Sequence, residues 1–289
     1  MDLLSTYGEE ARGEGKQMSS QQVQMLKEHY EIEKELAVRL RESSREERKT
    51  LYVSLYDEFN RRVPIYTEAV GEQDAQVASV MSSPQWRFLR RFLRPDTVFL
   101  EVGAGRCATS LAAARVVKQV YALEVSAEVT RKVRAPEHFA LILFDGFSLP
   151  VPDGSVTVAY SDQVMEHIHP DDAREQLANI HQALASGGSY ICITPNRLNG
   201  PHDISRYFDA VATGFHLKEY TNADLSDLMK QAGFSKVRAY IGVPARYVRF
   251  PLVVLKLQEA VLSRLPQRLR RVLARLTLSW CVRLVGVKG

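Results

Sequence analysis

At 289 residues, with 45% hydrophobic and 25% charged side chains, the chain has the make-up of a folded globular protein. It is long enough for one sizeable domain with additions, or for two small ones. This balance excludes disorder over most of the length, and a formal net charge of +4 is too small to argue for nucleic acid. No apolar run reaches the roughly 18 residues of a membrane-spanning helix, and the first residues lack the basic-then-apolar pattern of a secretory signal. Cys107, Cys192 and Cys281 are odd in number and far apart, which fits reduced thiols in a cytoplasm better than a disulfide framework or a zinc site.

In chain order, residues 1–18 read as a polar, poorly ordered leader. Over 19–60 the apolar positions Met25, Tyr30, Ile32, Leu36 and Leu40 recur at helical spacing, and Ser44 followed by Glu47 signals the start of a second helix through Tyr52, Leu55 and Tyr56. A third helix is expected over 83–92. The character then changes. Short apolar strands are expected at 97–102, 120–123, 140–144, 156–160, 189–193, 236–241 and 281–287. Helices are expected between them at 108–117, 173–185 and 222–232, the last closed by Gly233. Strand and helix in alternation predict an α/β domain with a mostly parallel sheet covered on both faces. The division drawn is a helical extension over 1–80 and an α/β domain over 81–289.

In such sheets ligands bind beyond the carboxyl ends of the strands, so the chemistry is read there. The first end carries Glu101-Val102-Gly103-Ala104-Gly105. Gly103 and Gly105 permit a sharp turn and close backbone approach to a ligand, and the helix that follows offers free N–H groups. A Gly-x-Gly turn alone also fits a nicotinamide dinucleotide. Glu101 argues against that, because a carboxylate beside a pyrophosphate is repulsive and beside an ammonium is favourable. Glu124, at the end of the second strand, is placed to accept from both hydroxyls of a ribose, and Asp145, at the end of the third, from an adenine amino group. A nucleoside with a cationic amino-acid tail satisfies all three acids.

With these residues in view, the chain resembles the class I S-adenosylmethionine-dependent methyltransferases, of the small-molecule, methyltransferase domain 11-like type. FLEVGAGRCATS, VYALEVS, VTVAYSDQVMEHI and ASGGSYICITPN are similar to the family's segments at the first, second, fourth and fifth strands. The resemblance implies a Rossmann-like sheet of seven strands, the seventh antiparallel, and S-adenosyl-L-methionine as cofactor. It implies cofactor contacts from Glu101, Gly103, Gly105, Glu124, Val125, Asp145 and Gly146. Ser161, Asp162 and Gln163 would lie near the sulfonium end. Arg106 departs from the smaller residues common at its position, which leaves the fine shape of the methionine pocket open.

For a base, the segment TPNRLNGPHDISRYFD after the fifth strand supplies His202, with Asp203 or Asp162 as its orienting partner. The alternative has His202 holding the loop through a backbone carbonyl. His167 belongs to the catalytic candidates or packs beneath the cofactor, and His216 reads as architectural. Glu166, His167, His202 and His216 show no compact ligand spacing, so no metal site is assigned.

Between the sixth and seventh strands an insertion over 250–279 carries two apolar stripes, one including Leu257 and Val261, the other Leu269, Val272 and Leu276. Arginines crowd both, and from 243 to 289 Glu259 is the one acid among ten Lys and Arg. Such helices either cap the domain with a solvated basic face or lie, over 254–276, on an anionic membrane as a peripheral contact at the inner surface. The expected activity is methyl transfer to an oxygen of a small molecule or a lipid-linked glycan, with no nucleic-acid partner. An NAD(P)-dependent oxidoreductase and a non-catalytic binding module are the alternatives.

Overall fold

The computed structural model describes residues 19–63, 72–243, 246–277 and 281–289. The leader expected over 1–18 lies outside them. Two long helices come first, α1 (Ser20–Glu42) and α2 (Arg45–Arg62), and both start with a capping box, Ser19 with Gln22 and Ser44 with Glu47. The helix expected over 83–92 is α4 (Pro84–Leu89), and a further one, α3 (Gln73–Ser82), precedes it. Ser83 caps the second of these, with Pro84 at its first position.

The sheet follows: β1 (Val98–Val102), α5 (Ala108–Ala114), β2 (Gln119–Glu124), α6 (Ala127–Thr130), β3 (Phe139–Leu143), β4 (Val156–Asp162), α7 (Ala173–Ala183) and β5 (Leu184–Pro195). After them come α8 (Asn222–Gln231), β6 (Lys236–Val243), β7 (Arg246–Phe250), α9 (Leu252–Leu262), α10 (Gln267–Thr277) and β8 (Cys281–Val287). The strand order is β3-β2-β1-β4-β5-β8-β6-β7. β1 to β5 run parallel, and β8 is antiparallel to both β5 and β6, as the family resemblance implies. The sheet has eight strands where seven were expected. The extra one, β7, forms an antiparallel edge hairpin with β6.

The central strands are buried on both faces, so successive side chains enter different cores. Phe99, Val120, Ala122, Val158, Ile191 and Ile193 pack beneath α3, α4 and α5. Leu100, Val102, Leu123, Ala159, Tyr190 and Cys192 pack on the opposite face, in one cluster with Leu36, Leu40, Tyr52, Leu55 and Phe59 of α1 and α2. The N-terminal helices therefore share the main core of the sheet. A buried bidentate ion pair fastens them: Arg48 donates to Asp172 at 2.6 and 2.8 Å, and the Tyr52 hydroxyl adds a bond to the same carboxylate at 3.2 Å.

Candidate active site

The strand order reverses between β1 and β4, so the cleft opens at their carboxyl ends. Glu101, at the end of β1, is buried at 5% exposure, and its hydrogen-bond partner among the described residues is the Ser110 hydroxyl on α5. Burial pushes its carboxyl up to about 8, with the nearby Asp162 charge adding to the shift and Ser110 opposing it. A carboxyl so placed is brought into its charged form by an ammonium. Gly103 and Gly105 both take positive φ, +72° and +53°. A Cβ on Gly103 would strike Val164, whereas one on Gly105 would enter open space. The backbone at Gly105 thus forms the floor of a cradle.

Glu124 closes β2 and is 8% exposed. Its Oε2 accepts the Gly105 N–H at 2.7 Å, and its Oε1 accepts those of Val125 and Ser126 at 2.9 and 3.1 Å. Val125 therefore contributes a backbone donor to this grip. A carboxylate has about four acceptor positions. Three are filled, which leaves room on Oε2 to accept from the ribose. Asp145 follows β3 and caps its own turn, accepting from the Phe147 and Ser148 N–H groups at 2.8 and 2.7 Å and from the Ser148 hydroxyl at 2.9 Å. Gly146, at φ +91°, lies against the Tyr52 ring, which a Cβ would meet at 3.1 Å. The acid-lined cleft with an open glycine floor fits a nucleoside carrying an ammonium group.

At the end of β4 the picture changes. Ser161 does not face the cleft: it is 1% exposed and bonds the Tyr190 hydroxyl at 2.6 Å, turned inward because β4 has a core on each side. Asp162 accepts the Tyr160 hydroxyl at 3.0 Å and remains near Glu101. Gln163 stands exposed with φ +58°, its amide against Asp162 and the Cys281 sulfur.

The expected His202 dyad does not form. The His202 ring places Nε2 at 2.6 Å from Asn199 Oδ1 and 3.1 Å from the Asn196 carbonyl, and burial lowers its basicity. Asp203 instead caps the short turn Ile204–Tyr207, accepting from Ser205 and from the Gly214 N–H at 2.9 Å. Asp162 is engaged by its own neighbours. The contacts of the His202 ring with Asn196 and Asn199 lie within its own loop, in keeping with the alternative weighed above.

The histidine–carboxylate pair is His216 with Glu219, Nδ1 to Oε1 at 2.8 Å, and the same Oε1 accepts the His202 N–H at 2.7 Å. Burial disfavours the His216 cation but is outweighed by the Glu219 bond and by the Glu166 and Asp203 charges, so its pKa rises to about 9. Glu219 is correspondingly lowered, by His216 against its own burial. Beside this pair, His167 bonds the Phe215 carbonyl through Nδ1 at 3.0 Å. Burial, with the His216 charge, depresses it to about 3, so it is neutral. A carbonyl only accepts, so Nδ1 carries the proton and Nε2 the lone pair. Glu166 is fully buried. Thr194 donates to its Oε2 at 2.9 Å, Oε1 has no partner among the described residues, and burial pushes the carboxyl to about 7. Glu166, His167 and His216 offer ligand atoms within 4.8 Å of one another; His202 is outside this group.

His216 and Glu219 line a cavity of about 300 Å³ whose wall also carries Arg197, Lys218, Arg270 and Val211. The N-terminal helices hold this end in place. Arg41 donates to the carbonyls of Thr213, Gly214 and His216, and Glu33 accepts the Phe215 N–H. Tyr56 of α2 stacks on Phe215 and meets the His167 ring edge-on at 6.2 Å, while Asp57 accepts the Ser126 hydroxyl at 2.6 Å beside Glu124. One helix therefore spans the cleft from the β2 end to the histidine cluster. Glu219, Arg41 and Tyr56 carry no sequence signal of their own; only the fold brings them to the site.

Residues 100–192 match a family described as a methyltransferase domain. A probable S-adenosylmethionine-dependent methyltransferase of Mycolicibacterium smegmatis is 31% identical over 145 residues, half of this chain and 54% of that protein. A malonyl-[acyl-carrier protein] O-methyltransferase of Xylella fastidiosa is 35% identical over 105 residues, 34% of this chain and 35% of that one. The chain spans about half the length, or less, of the curated relatives it matches. Among solved structures, phosphoethanolamine N-methyltransferase 2 of Haemonchus contortus, in complex with S-adenosyl-L-methionine, superposes with TM-score 0.52 at 14% identity, covering 81% of this chain and 60% of that one. An S-adenosylmethionine-dependent methyltransferase of Archaeoglobus fulgidus gives 0.51 at 14%, covering 82% and all of that chain. At such identities the structures establish the fold alone. Residues 100–192 thus carry a methyltransferase domain, on a fold shared with solved S-adenosylmethionine-dependent methyltransferases.

Proposed function

We propose that the protein transfers a methyl group from S-adenosylmethionine to an oxygen of an anionic acceptor, a small molecule or a lipid-linked glycan. The observation that carries the cofactor reading is the buried Glu101 beside the open Gly105 floor, with Glu124 across the cleft. When bound, the cofactor supplies a methyl group already activated on a sulfonium, so the protein has mainly to orient the acceptor and exclude water. Orientation alone contributes about 7–11 kcal/mol in favourable cases. The α2 helix, with Asp57 at the β2 end of the cleft and Tyr56 against His167, supports water exclusion.

The acceptor reading is supported by the wall of the 300 Å³ cavity, where Arg197, Lys218, Arg270 and the His216 cation outnumber Glu219. An acceptor carboxylate needs no deprotonation. For a hydroxyl acceptor, His167 with its Nε2 lone pair is the base, in place of His202. The relative from Xylella fastidiosa, named for O-methylation of a malonyl group on its carrier, favours oxygen over nitrogen. The test is transfer of isotopically labelled methyl from S-adenosylmethionine to a panel of carboxylates, sugar phosphates, lipid-linked glycans and amines. Labelling of anionic oxygen acceptors is expected, and labelling of amines alone would overturn the reading. His167→Gln should slow transfer to hydroxyls without altering affinity for S-adenosylhomocysteine; unchanged turnover would remove the base.

A further inference from the structure

The two helices between β7 and β8 are oriented against the usual rule. Along α9, Leu255, Glu259 and Leu262 are buried, while Val253, Leu257 and Val261, spaced four apart on the opposite side, are 63%, 64% and 60% exposed. In α10 the basic side faces the protein: Arg271 and Gln267 donate to the Ala210 carbonyl, Arg270 lines the cavity and Ala274 is buried. Its apolar stripe, Leu269, Val272 and Leu276, is 49%, 57% and 77% exposed. The solvated basic face expected of a simple cap is thus replaced by an outward aliphatic face. The two helices touch each other.

Apart from Glu259, every charge carried by residues 252–277 is positive. Arg264, Arg268 and Arg275 are exposed at its margin. The one acid of the segment, Glu259, is consumed internally, accepting from Asn222 and Ala223 at the start of α8 and from Asn196 just after β5. Protein-binding surfaces favour aromatic and methionine anchors, yet residues 252–277 contain neither. Exposed Val and Leu rimmed by Arg is the chemistry of a helix lying in the headgroup boundary of an anionic bilayer. No helix among the described residues is long and apolar enough to cross a membrane.

We propose that α9 and α10 dock the protein on the surface of an anionic phospholipid bilayer, the aliphatic stripes entering the headgroup boundary and the arginines pairing with lipid phosphates. This docking does not depend on the methyl-transfer reading.

The test is co-sedimentation of the full chain with vesicles of phosphatidylglycerol and phosphatidylcholine, against vesicles of phosphatidylcholine alone. Binding to the anionic vesicles is expected, weakened by added salt. Leu257→Asp with Leu276→Asp should reduce it about tenfold or more. Arg264→Gln and Arg268→Gln should each reduce it about fivefold, the factor corresponding to roughly 1 kcal/mol per charge at the surface. All four side chains are exposed, so melting temperatures should match the parent. Absence of binding to anionic vesicles, or equal binding by the Leu257→Asp/Leu276→Asp variant, overturns the proposal. So does a lipid-free dimer, seen by light scattering, that the same two substitutions dissolve, because the face would then be occupied by a second copy.

Discussion

Replacing Glu124 by alanine separates the two tasks its carboxylate performs. In the free protein it accepts three backbone N–H groups, from Gly105, Val125 and Ser126, at 2.7 to 3.1 Å. One acceptor position on Oε2 remains for a ribose hydroxyl. A hydrogen bond to a charged group contributes about 1.5–3 kcal/mol, so losing that contact weakens cofactor binding about 10- to 150-fold. Stranding the three N–H groups costs the fold a further ~1–3 kcal/mol, moderated where water reaches them. Glu124→Gln retains a carbonyl acceptor and should fall between the parent and Glu124→Ala. Calorimetric titration with S-adenosylhomocysteine measures the first effect, and thermal unfolding of the unliganded variants measures the second. If Glu124→Ala binds within threefold of the parent while remaining folded, the ribose is held elsewhere and the reasoning fails.

Three further outcomes are expected. Because burial raises the Glu101 carboxyl to about 8, with Asp162 adding and Ser110 opposing, the free protein holds a proton there at pH 7 that an incoming ammonium expels. Cofactor affinity should rise with pH from 6 towards 8 and fall once the ligand's own ammonium deprotonates, with proton release on the rising limb visible as a buffer-dependent binding enthalpy; a Glu101→Gln variant that keeps the same rising slope would contradict this. His216 is raised to about 9 in the fold from an ordinary 6.5, so its stabilisation is complete below about 6.5 and is lost as pH climbs through 9. Melting temperature should fall over that window, and Glu219→Gln should flatten the fall; an unchanged profile would mean the pair is not ionised. Arg48→Met leaves Asp172 as a buried charge without its cation, so the domain should lose about 3–5 kcal/mol by denaturant titration, and a loss under 1 kcal/mol would refute the clamp.

Much of the cofactor half of the cleft was legible because its signals are local. A Gly-x-Gly turn after an apolar strand, with acids closing the next two strands, requires only that the strands be parallel and adjacent. Ser161 was misplaced for a related reason: β4 has a core on each face, so period-two alternation does not say which side meets the ligand. The acceptor half was harder to read. Asp203 is adjacent to His202 in sequence, but its carboxylate is claimed by Ser205 and Gly214, and the pair that forms depends on Arg41 and Glu33 holding residues 213–216 from a helix far away in the chain. The stripe in α10 was visible in the sequence, but its direction was not. Periodicity marks an apolar side without saying which way it turns, and here the Ala210 carbonyl draws the arginine side inward. The short segment Arg246–Phe250 pairs with the edge of β6 and packs Tyr247 on Phe88, contacts that its own sequence does not announce.

The central claim is that the acid-and-glycine cleft is built for a nucleoside with an ammonium tail. The most direct measurement is calorimetric titration of the purified protein with S-adenosylmethionine, S-adenosylhomocysteine and NADH in parallel. Saturable one-to-one binding of the first two, with none of the third, is the predicted result. Binding of NADH alone, or of none of the three, would contradict it.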